Sequence, residues 1–429
     1  MNSLATPARQ PTNWNADAMQ RRIRARYRAE KRFRFYGLFA VMLSAGFLAF
    51  LLITMMSSGA RGFTQTQIAL PVNFTASDIF LEPSQLEGEN REQLLAQTDF
   101  RGLARRSAVA AYGEDGPNLL SNGAWVQVRQ AVSADPTLLT RNEVIWVPAS
   151  TEVDFAARGD TGERQSEERN AMLLRYGQME AADQVRRTLS WNFLTLADSS
   201  DPTLVGIWGA LKGSLLTMIV TLLLAFPIGV LSAVYLEEYA PQNRWTDMIE
   251  VSINNLAAVP SIIFGLLGLA VFINIFYLPR SAAIVGGLTL ALMTMPVIVI
   301  AGRNAIKSVP PSIRDAALGV GASPIQVLTH HVLPLSLPGI LTGTIIGMSR
   351  ALGETAPLLL IGMRAFVATP PGGFNDPATV LPVQIFLWSD ELDPGFVEKT
   401  SAAIIVLLLF LLAMNGIAIW LRNKYEQRW

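Results

Sequence analysis

Arg350 and Glu354 stand four residues apart in residues 338–363, a stretch with no other charged side chain. On a helix that spacing puts the two on one face. Charge inside an apolar stretch long enough to cross a bilayer is expensive, faces the protein interior, and marks a pathway or a packing pair. A guanidinium fork matches an oxyanion. Arg350 is therefore read as an anion ligand, with Glu354 holding it when the site is empty and Thr355 as the next pathway residue. The alternative is an ion pair that only fixes packing against another subunit.

A second group of residues is suited to transmitting force. Pro310-Pro311-Ser312-Ile313-Arg314-Asp315-Ala316-Ala317-Leu318-Gly319-Val320-Gly321-Ala322-Ser323-Pro324 leads through Ile325 to Leu333 and Pro334. The pattern predicts a short helix, a glycine turn and a second short helix. Ser312 is expected to cap the first helix, and Gly319 and Gly321 to end it. Ser323 is expected to cap the second, with Pro324 in its first turn. A rigid elbow of this kind, held between two membrane spans, can pass on the movement of a docked partner.

Other chemistries are excluded or unsupported. The 429 residues contain no cysteine, so there is no disulfide, thiolate metal site or thiol nucleophile. No phosphate-cradling Gly-x-x-x-x-Gly-Lys-Ser/Thr loop occurs, and Lys212-Gly213-Ser214 lacks the required order. The formal net charge is zero, which gives no reason to expect a nucleic-acid partner.

These residues sit in a chain built for a bilayer. Charged residues are 16% of the whole and hydrophobic ones 51%, and the apolar residues fall in blocks. Six spans are expected: residues 37–57, 213–236, 251–279, 281–302, 338–363 and 400–421, with a kink expected at Pro227 and Pro296 tolerated within its span. Residues 1–36 form a basic tail with Arg9, Arg21, Arg22, Arg24, Arg26, Arg28, Lys31, Arg32 and Arg34. If that tail is inside, the other inside loops carry Arg244, then Arg303, Lys307 and Arg314, then Arg422, Lys424 and Arg428. The short outside loops carry only Arg280, Arg364 and Lys399. This imbalance places both termini in the cytoplasm. The elbow, residues 303–337, then lies on the same side, in a core of residues 206–429.

Residues 58–205 are expected to form a soluble α+β domain between the first and second spans. They contain no lysine, 13 arginines and 20 acidic residues. Ala124–Val128 alternates as a strand would, with Glu143–Pro148 a possible partner. Residues 161–189 look helical, with Ser166-Glu167-Glu168-Arg169 near the start and Leu173, Leu174 and Met179 on an apolar face. Asn73-Phe74-Thr75 matches a glycosylation sequon, a short pattern that arises often by chance.

The elbow resembles the EAA loop of ABC importer permeases. Their pattern is Glu-Ala-Ala, three residues, Gly, nine residues, then Ile-x-Leu-Pro. Asp315, Ala316, Ala317, Gly321, Leu333 and Pro334 fall in register, while Asp315 replaces Glu and His331 replaces Ile. Ser349-Arg350-Ala351-Leu352-Gly353-Glu354-Thr355-Ala356-Pro357-Leu358-Leu359 is similar to the signature of the PstA-type permease of the phosphate-specific transport system. Ala356-Pro357 favours that type over the PstC type, whose signature ends Glu-Thr-Met-Ala. Tyr235–Ala240, Val259–Gly265 and Leu381–Phe386 also look alike. The resemblance covers residues 205–425 well and the first span weakly. It does not reach 58–205, where the family is usually shorter.

The resemblance implies an all-α polytopic protein with the six-helix type I ABC importer permease fold and an inserted periplasmic domain. It implies a bacterial inner-membrane subunit that moves inorganic phosphate inward and is not itself an enzyme. The implied partners are a PstC-type permease, a PstB-type ATPase dimer that uses ATP and magnesium, and a PstS-type periplasmic phosphate-binding protein, with membrane lipid around them. This chain would bind no cofactor of its own. A sulfate, molybdate or polyamine permease, a secondary transporter or channel, and a membrane-anchored sensor remain as alternatives. The inserted segment is expected to be dispensable for the core cycle.

Overall fold

The computed structural model describes residues 17–75, 79, 81–88, 90–158 and 167–425. Arg9, Arg428 and Ser166 lie outside the described residues, as does the 161–166 start of the expected helix. The chain divides into two compact units at Ser57 and Ser58. The described part of the first unit, from Asp17 onward, belongs to helix α1 (Asp17–Gly62), which contains the expected 37–57 span. Its apolar residues, such as Phe35, Leu43, Phe47 and Ile53, are exposed.

The second unit holds both the inserted segment and the remaining spans. Strand β1 (Thr64–Asn73) begins two residues after α1 ends. It is the centre of a three-stranded antiparallel sheet, between β2 (Asn142–Pro148) and β3 (Val185–Leu189). Ile68 opposes Val147 and Val185, and Leu70 opposes Ile145. Ile68, Leu70 and Val72 are buried on one sheet face by the period of two. Helices α2 (Phe100–Tyr112) and α3 (Ala124–Ala134) cover that face with Phe100, Leu103, Ala108, Val128 and Val132. Helix α4 (Thr151–Ala157) and helix α5 (Glu167–Ala181) complete the segment.

Two local expectations fail here. Ala124–Val128 is helical, because Ala124, Val128 and Val132 make an i, i+4, i+8 buried face and the short alternation is incidental. The strand that pairs with Glu143–Pro148 is β1, whose own alternation of Ile68, Leu70 and Val72 supplies the missing signal. The helix expected to reach Leu189 stops at Ala181. Asp183 then takes φ 54°, a left-handed turn that aspartate tolerates, and the chain enters β3. Of the expected apolar face, Met179 is buried while Leu174 is exposed.

The longer helices that follow are α6 (Trp208–Val234), α7 (Arg244–Ala257), α8 (Ser261–Gly268), α9 (Ala283–Lys307), α10 (Pro311–Gly319), α11 (Leu333–Gly353), α12 (Leu381–Ser389) and α13 (Gly395–Tyr425). Among the described residues, five helices are long and apolar enough to cross a membrane, with a sixth crossing if one bent pair counts as a span. That pair corrects the expected third span. Arg244–Ala257 and Ser261–Ile273 meet at 100°, across Pro260. Hydropathy alone sums the two and is blind to their direction.

The fifth span is also redrawn. It runs from Leu333 and ends at Gly353, after which Glu354 takes an extended backbone and Ala356–Leu360 forms a separate short helix. Pro227 and Pro296 lie within α6 and α9. Helix α11 packs against α9 through glycines four apart. A Cβ on Gly339, Gly343 or Gly347 would come within 2.7 Å of Ala305, 2.1 Å of Ala301 and 2.9 Å of Thr294 respectively. Small residues at this spacing let helix backbones approach closely in a membrane.

The inserted segment and the core are joined by buried charge. Arg158, 3% exposed, pairs with both Asp154 on its own side and Glu398 at the start of α13. Lys399 Nζ donates to the Gly62 carbonyl at 2.7 Å. Beside them Phe63, Phe193, Trp388 and Phe396 pack in series, edge-on or tilted, with ring centroids 5.3–6.4 Å apart. Removing the Arg158 side chain alone would leave Glu398 with an unpaired charge at this contact.

Candidate coupling and transport site

The elbow follows from its prolines, glycine and caps. Pro310 is held extended by the proline after it, and α10 starts at Pro311, where a missing N–H costs nothing. Ser312 lies inside the first turn and makes no capping bond, because Pro310 occupies the cap position. Gly319 is the last helical residue and Gly321 takes φ 91°, a conformation glycine adopts without penalty. The N–H groups of Gly321 and Ala322 close the turn onto the carbonyls of Leu318 and Ala317, at 2.9 and 3.1 Å. Ser323 and Gln326 then cap each other reciprocally around Pro324–Val327. The following turn, Leu328–Val332, widens before Pro334, which has no N–H to offer a regular helix.

One side of this elbow is anchored and the other is free. Ala317, Val327, Leu328 and Val332 are buried with Leu236, Val299, Ile306 and Val309. Asp315, Ala316 and Gly321 are exposed, beside exposed Leu318, Ile325 and Val320, the last at 87%. The chain thus offers an apolar surface with one carboxylate. Leu333 and Pro334 are half-buried at the start of α11 and belong to the fixed side.

Charge ties the elbow to its surroundings. Arg314 donates to Glu238 at 2.8 Å and to the carbonyls of Ile306 and Val309 at 3.0 and 2.7 Å, covering the open end of α9. Arg303 pairs with Glu250 of α7 at 2.8 Å and with Glu237 at 3.4 Å. In the sequence Tyr235–Ala240 stands out only by its likeness, and nothing local assigns Glu237 and Glu238 to the elbow. The nearby Arg303 and Arg314 were visible but were counted only as topology signals.

Arg350 lies 17 residues beyond Leu333, roughly 25 Å along α11. Its Nε is 3.5 Å from Glu354 Oε1, so the expected pair does meet. The arginine side chain is 50% exposed and the glutamate 19%. Glu354 reaches back from beyond the helix end, and Thr355 is half-buried at the break. Two of the sequence stretches singled out above touch at this break. A Cβ on Gly265 would come within 2.6 Å of Pro357 Cα. The Leu381 N–H also bonds Ser214 Oγ at 2.8 Å, fixing α12 on α6. Among the described residues no group of histidines and carboxylates could hold a metal.

A chain with these spans and a capped, partly exposed elbow between two of them is a transport permease. Residues 207–429 match the family described as "binding-protein-dependent transport system inner membrane component", and the chain belongs to it. It is a multi-pass inner-membrane protein. Residues 20–167 match a domain of unknown function, DUF3333. The chain is 32% identical over 246 residues to the probable ABC transporter permease protein YqgI of Bacillus subtilis, covering 54% of this chain and 83% of that one. It is 35% identical over 156 residues to the phosphate transport system permease protein PstA 1 of Mycobacterium tuberculosis, covering 36% and 51%. It is 29% identical over 211 residues to PstA of Pasteurella multocida, covering 49% and 74%. A solved structure of the MetNI methionine ABC transporter overlays with a TM-score of 0.38 at 16% identity, over 52% of this chain and 95% of that one.

Proposed function

We propose that this chain is the PstA-type permease subunit of an ATP-driven importer of inorganic phosphate. The observation that carries the reading is the arginine at the end of α11, in the run Arg350 to Leu359, together with relatives named as phosphate permeases at 29–35% identity. Arg350 contacts the anion in this reading, and Glu354 competes for it when no anion is bound. Thr355 borders the same path.

The exposed side of the elbow, with Asp315, Ala316 and Gly321, docks on a PstB-type ATPase dimer, and Ala317, Leu333 and Pro334 hold its fixed side. A PstC-type permease completes the pathway and a PstS-type binding protein delivers phosphate. Both termini lie in the cytoplasm and residues 58–205 in the periplasm, as a soluble α+β domain. ATP and magnesium belong to the ATPase, and this chain binds no cofactor.

The test is uptake of labelled phosphate in cells lacking their own subunit, with sulfate and molybdate as competitors. Phosphate uptake that neither competitor reduces supports the reading, and uptake of another oxyanion in its place overturns it. Arg350→Gln and Glu354→Gln are expected to assemble normally and each lose uptake. Normal uptake by the doubly neutral variant would leave the pair structural and move the anion site elsewhere.

A further inference from the structure

Helix α7 has no buried residue, yet it is rich in large apolar side chains. Its start is capped by Asn243, whose side chain accepts from the Trp245 and Thr246 N–H groups at 3.0 Å. Three faces run along it. Thr246, Glu250, Ile253 and Ala257 are half-buried at i, i+4, i+7 and i+11, and this is the side that meets the protein. Ile253 packs on the elbow's cluster and Glu250 pairs with Arg303. Trp245, Met248, Ile249 and Leu256 are exposed on the second face. Ser252 shares that face but spends its hydroxyl on the Met248 carbonyl at 2.7 Å. Arg244, Asp247 and Asn254 lie on the third, mainly polar face, which also carries exposed Val251.

We propose that α7 lies flat in the membrane surface on the elbow's side, with Trp245, Met248, Ile249, Ser252 and Leu256 sunk among lipid chains. Three observations converge on lipid as the occupant. The 100° bend turns α7 across the axis of the membrane helix that follows it. The apolar face continues into exposed Ile262, Ile263, Leu266 and Leu267 of that helix. The crossing itself is too short alone. Ser261–Ile273 rises about 20 Å, against a hydrocarbon core of about 30 Å. An interfacial helix sinks about 5–10 Å, which supplies the missing depth. Exposed Phe276 and Tyr277 then fall where aromatic side chains gather at the other surface. Because Glu250 holds Arg303, and Arg303 holds Glu237 next to Glu238, the partner of the elbow's Arg314, the lipid contact sets the height of the elbow's root.

The chain has no cysteine, so each single label needs no background changes in this chain, and the partner subunits are used in cysteine-free form. Met248→Cys, Ser252→Cys and Leu256→Cys report the apolar face, and Asp247→Cys and Asn254→Cys the polar one. Each is spin-labelled in the full transporter complex in lipid nanodiscs, and collision with oxygen and with a water-soluble nickel chelate is measured. Oxygen is expected to dominate at 248, 252 and 256, and nickel at 247 and 254. Shelter from both at 248, 252 and 256 would mean that another subunit covers this face, and nickel access all round would mean a helix in water. Either result overturns the proposal. Ser252→Cys is nearly isosteric and stays readable if the larger changes disturb folding. The placement rests on the membrane family and not on the choice of solute, so a failed uptake assay leaves it standing.

Discussion

The charge cluster at the inserted segment and the one at the elbow's root use the same chemistry under different hydration. Arg158 is almost wholly buried between Asp154 and Glu398. Arg303 and Arg314 are about a fifth exposed, and Glu250, a partner of Arg303, is 42% exposed. A buried pair is costly to break because the remaining charge has no water to turn to. The Arg303–Glu250 pair, with its glutamate 42% exposed, is screened by water and is worth less. The first junction is therefore a fixed joint and the second an adjustable one. A transporter needs both: a part that stays in register, and a part that yields when its docked partner moves.

The largest expected effect comes from breaking the fixed joint. Arg158→Ala should lower stability by about 3–5 kcal/mol, read as a drop in thermal unfolding temperature of the purified complex. Glu398→Gln alone should also destabilise, and the double variant should lose less than the two single losses combined. Strict additivity would show that the two residues do not act as a pair. Next in size is Gly321→Val, which places a β-branched residue at φ 91° and costs about 1–2 kcal/mol of backbone strain. It should insert into the membrane yet lose ATPase association, measured by copurification. Crosslinks between residues 315–325 and the ATPase should form in the active wild type; their absence would sink the docking surface.

Arg303→Gln tests the adjustable joint. About 1 kcal/mol or less is at stake there, so thermal stability should fall only slightly and assembly should survive. A loss as large as that of Arg158→Ala would erase the distinction between the joints. The smallest effect concerns Asp198, outside the spans. Burial pushes its carboxyl above the usual range, although Trp388 Nε1 donates to it at 2.9 Å. A raised carboxyl contributes stability that is full below the unfolded value and is lost as pH rises through the folded one. The wild type should therefore gain a little stability as pH falls through the raised folded value toward the ordinary carboxylate range, and Asp198→Asn should flatten that slope. An unchanged slope in the variant would assign it to other groups.

The spans were legible because a bilayer demands long apolar runs, and the elbow because Pro310, Pro311, Gly321 and Ser323 each fix a local backbone choice. What escaped was direction and distance. The apolar count through 251–279 does not reveal a right-angle turn at Pro260. The end of the fifth span at Gly353 was hidden by the apolar residues after it. Ala124–Val128 fits both periods over five residues, and the deciding Val132 lies outside that window. The Arg158–Glu398 contact joins residues 240 apart, which no local pattern announces. Arg350 and Glu354 were found because charge stands out against an apolar background, although Glu354 reaches its partner from outside the helix.

The glycine stripe of α11 makes the angular phase of that helix a quantity in its own right. Gly339, Gly343 and Gly347 leave no room for rotation against Ala301, Ala305 and Thr294. Everything beyond Gly347 inherits a bearing set by that contact. One residue inserted between Gly347 and Arg350 would swing the guanidinium about 100° around the axis, with composition and charge almost untouched. Such a variant would keep every side chain of the chain and aim Arg350 away from Glu354.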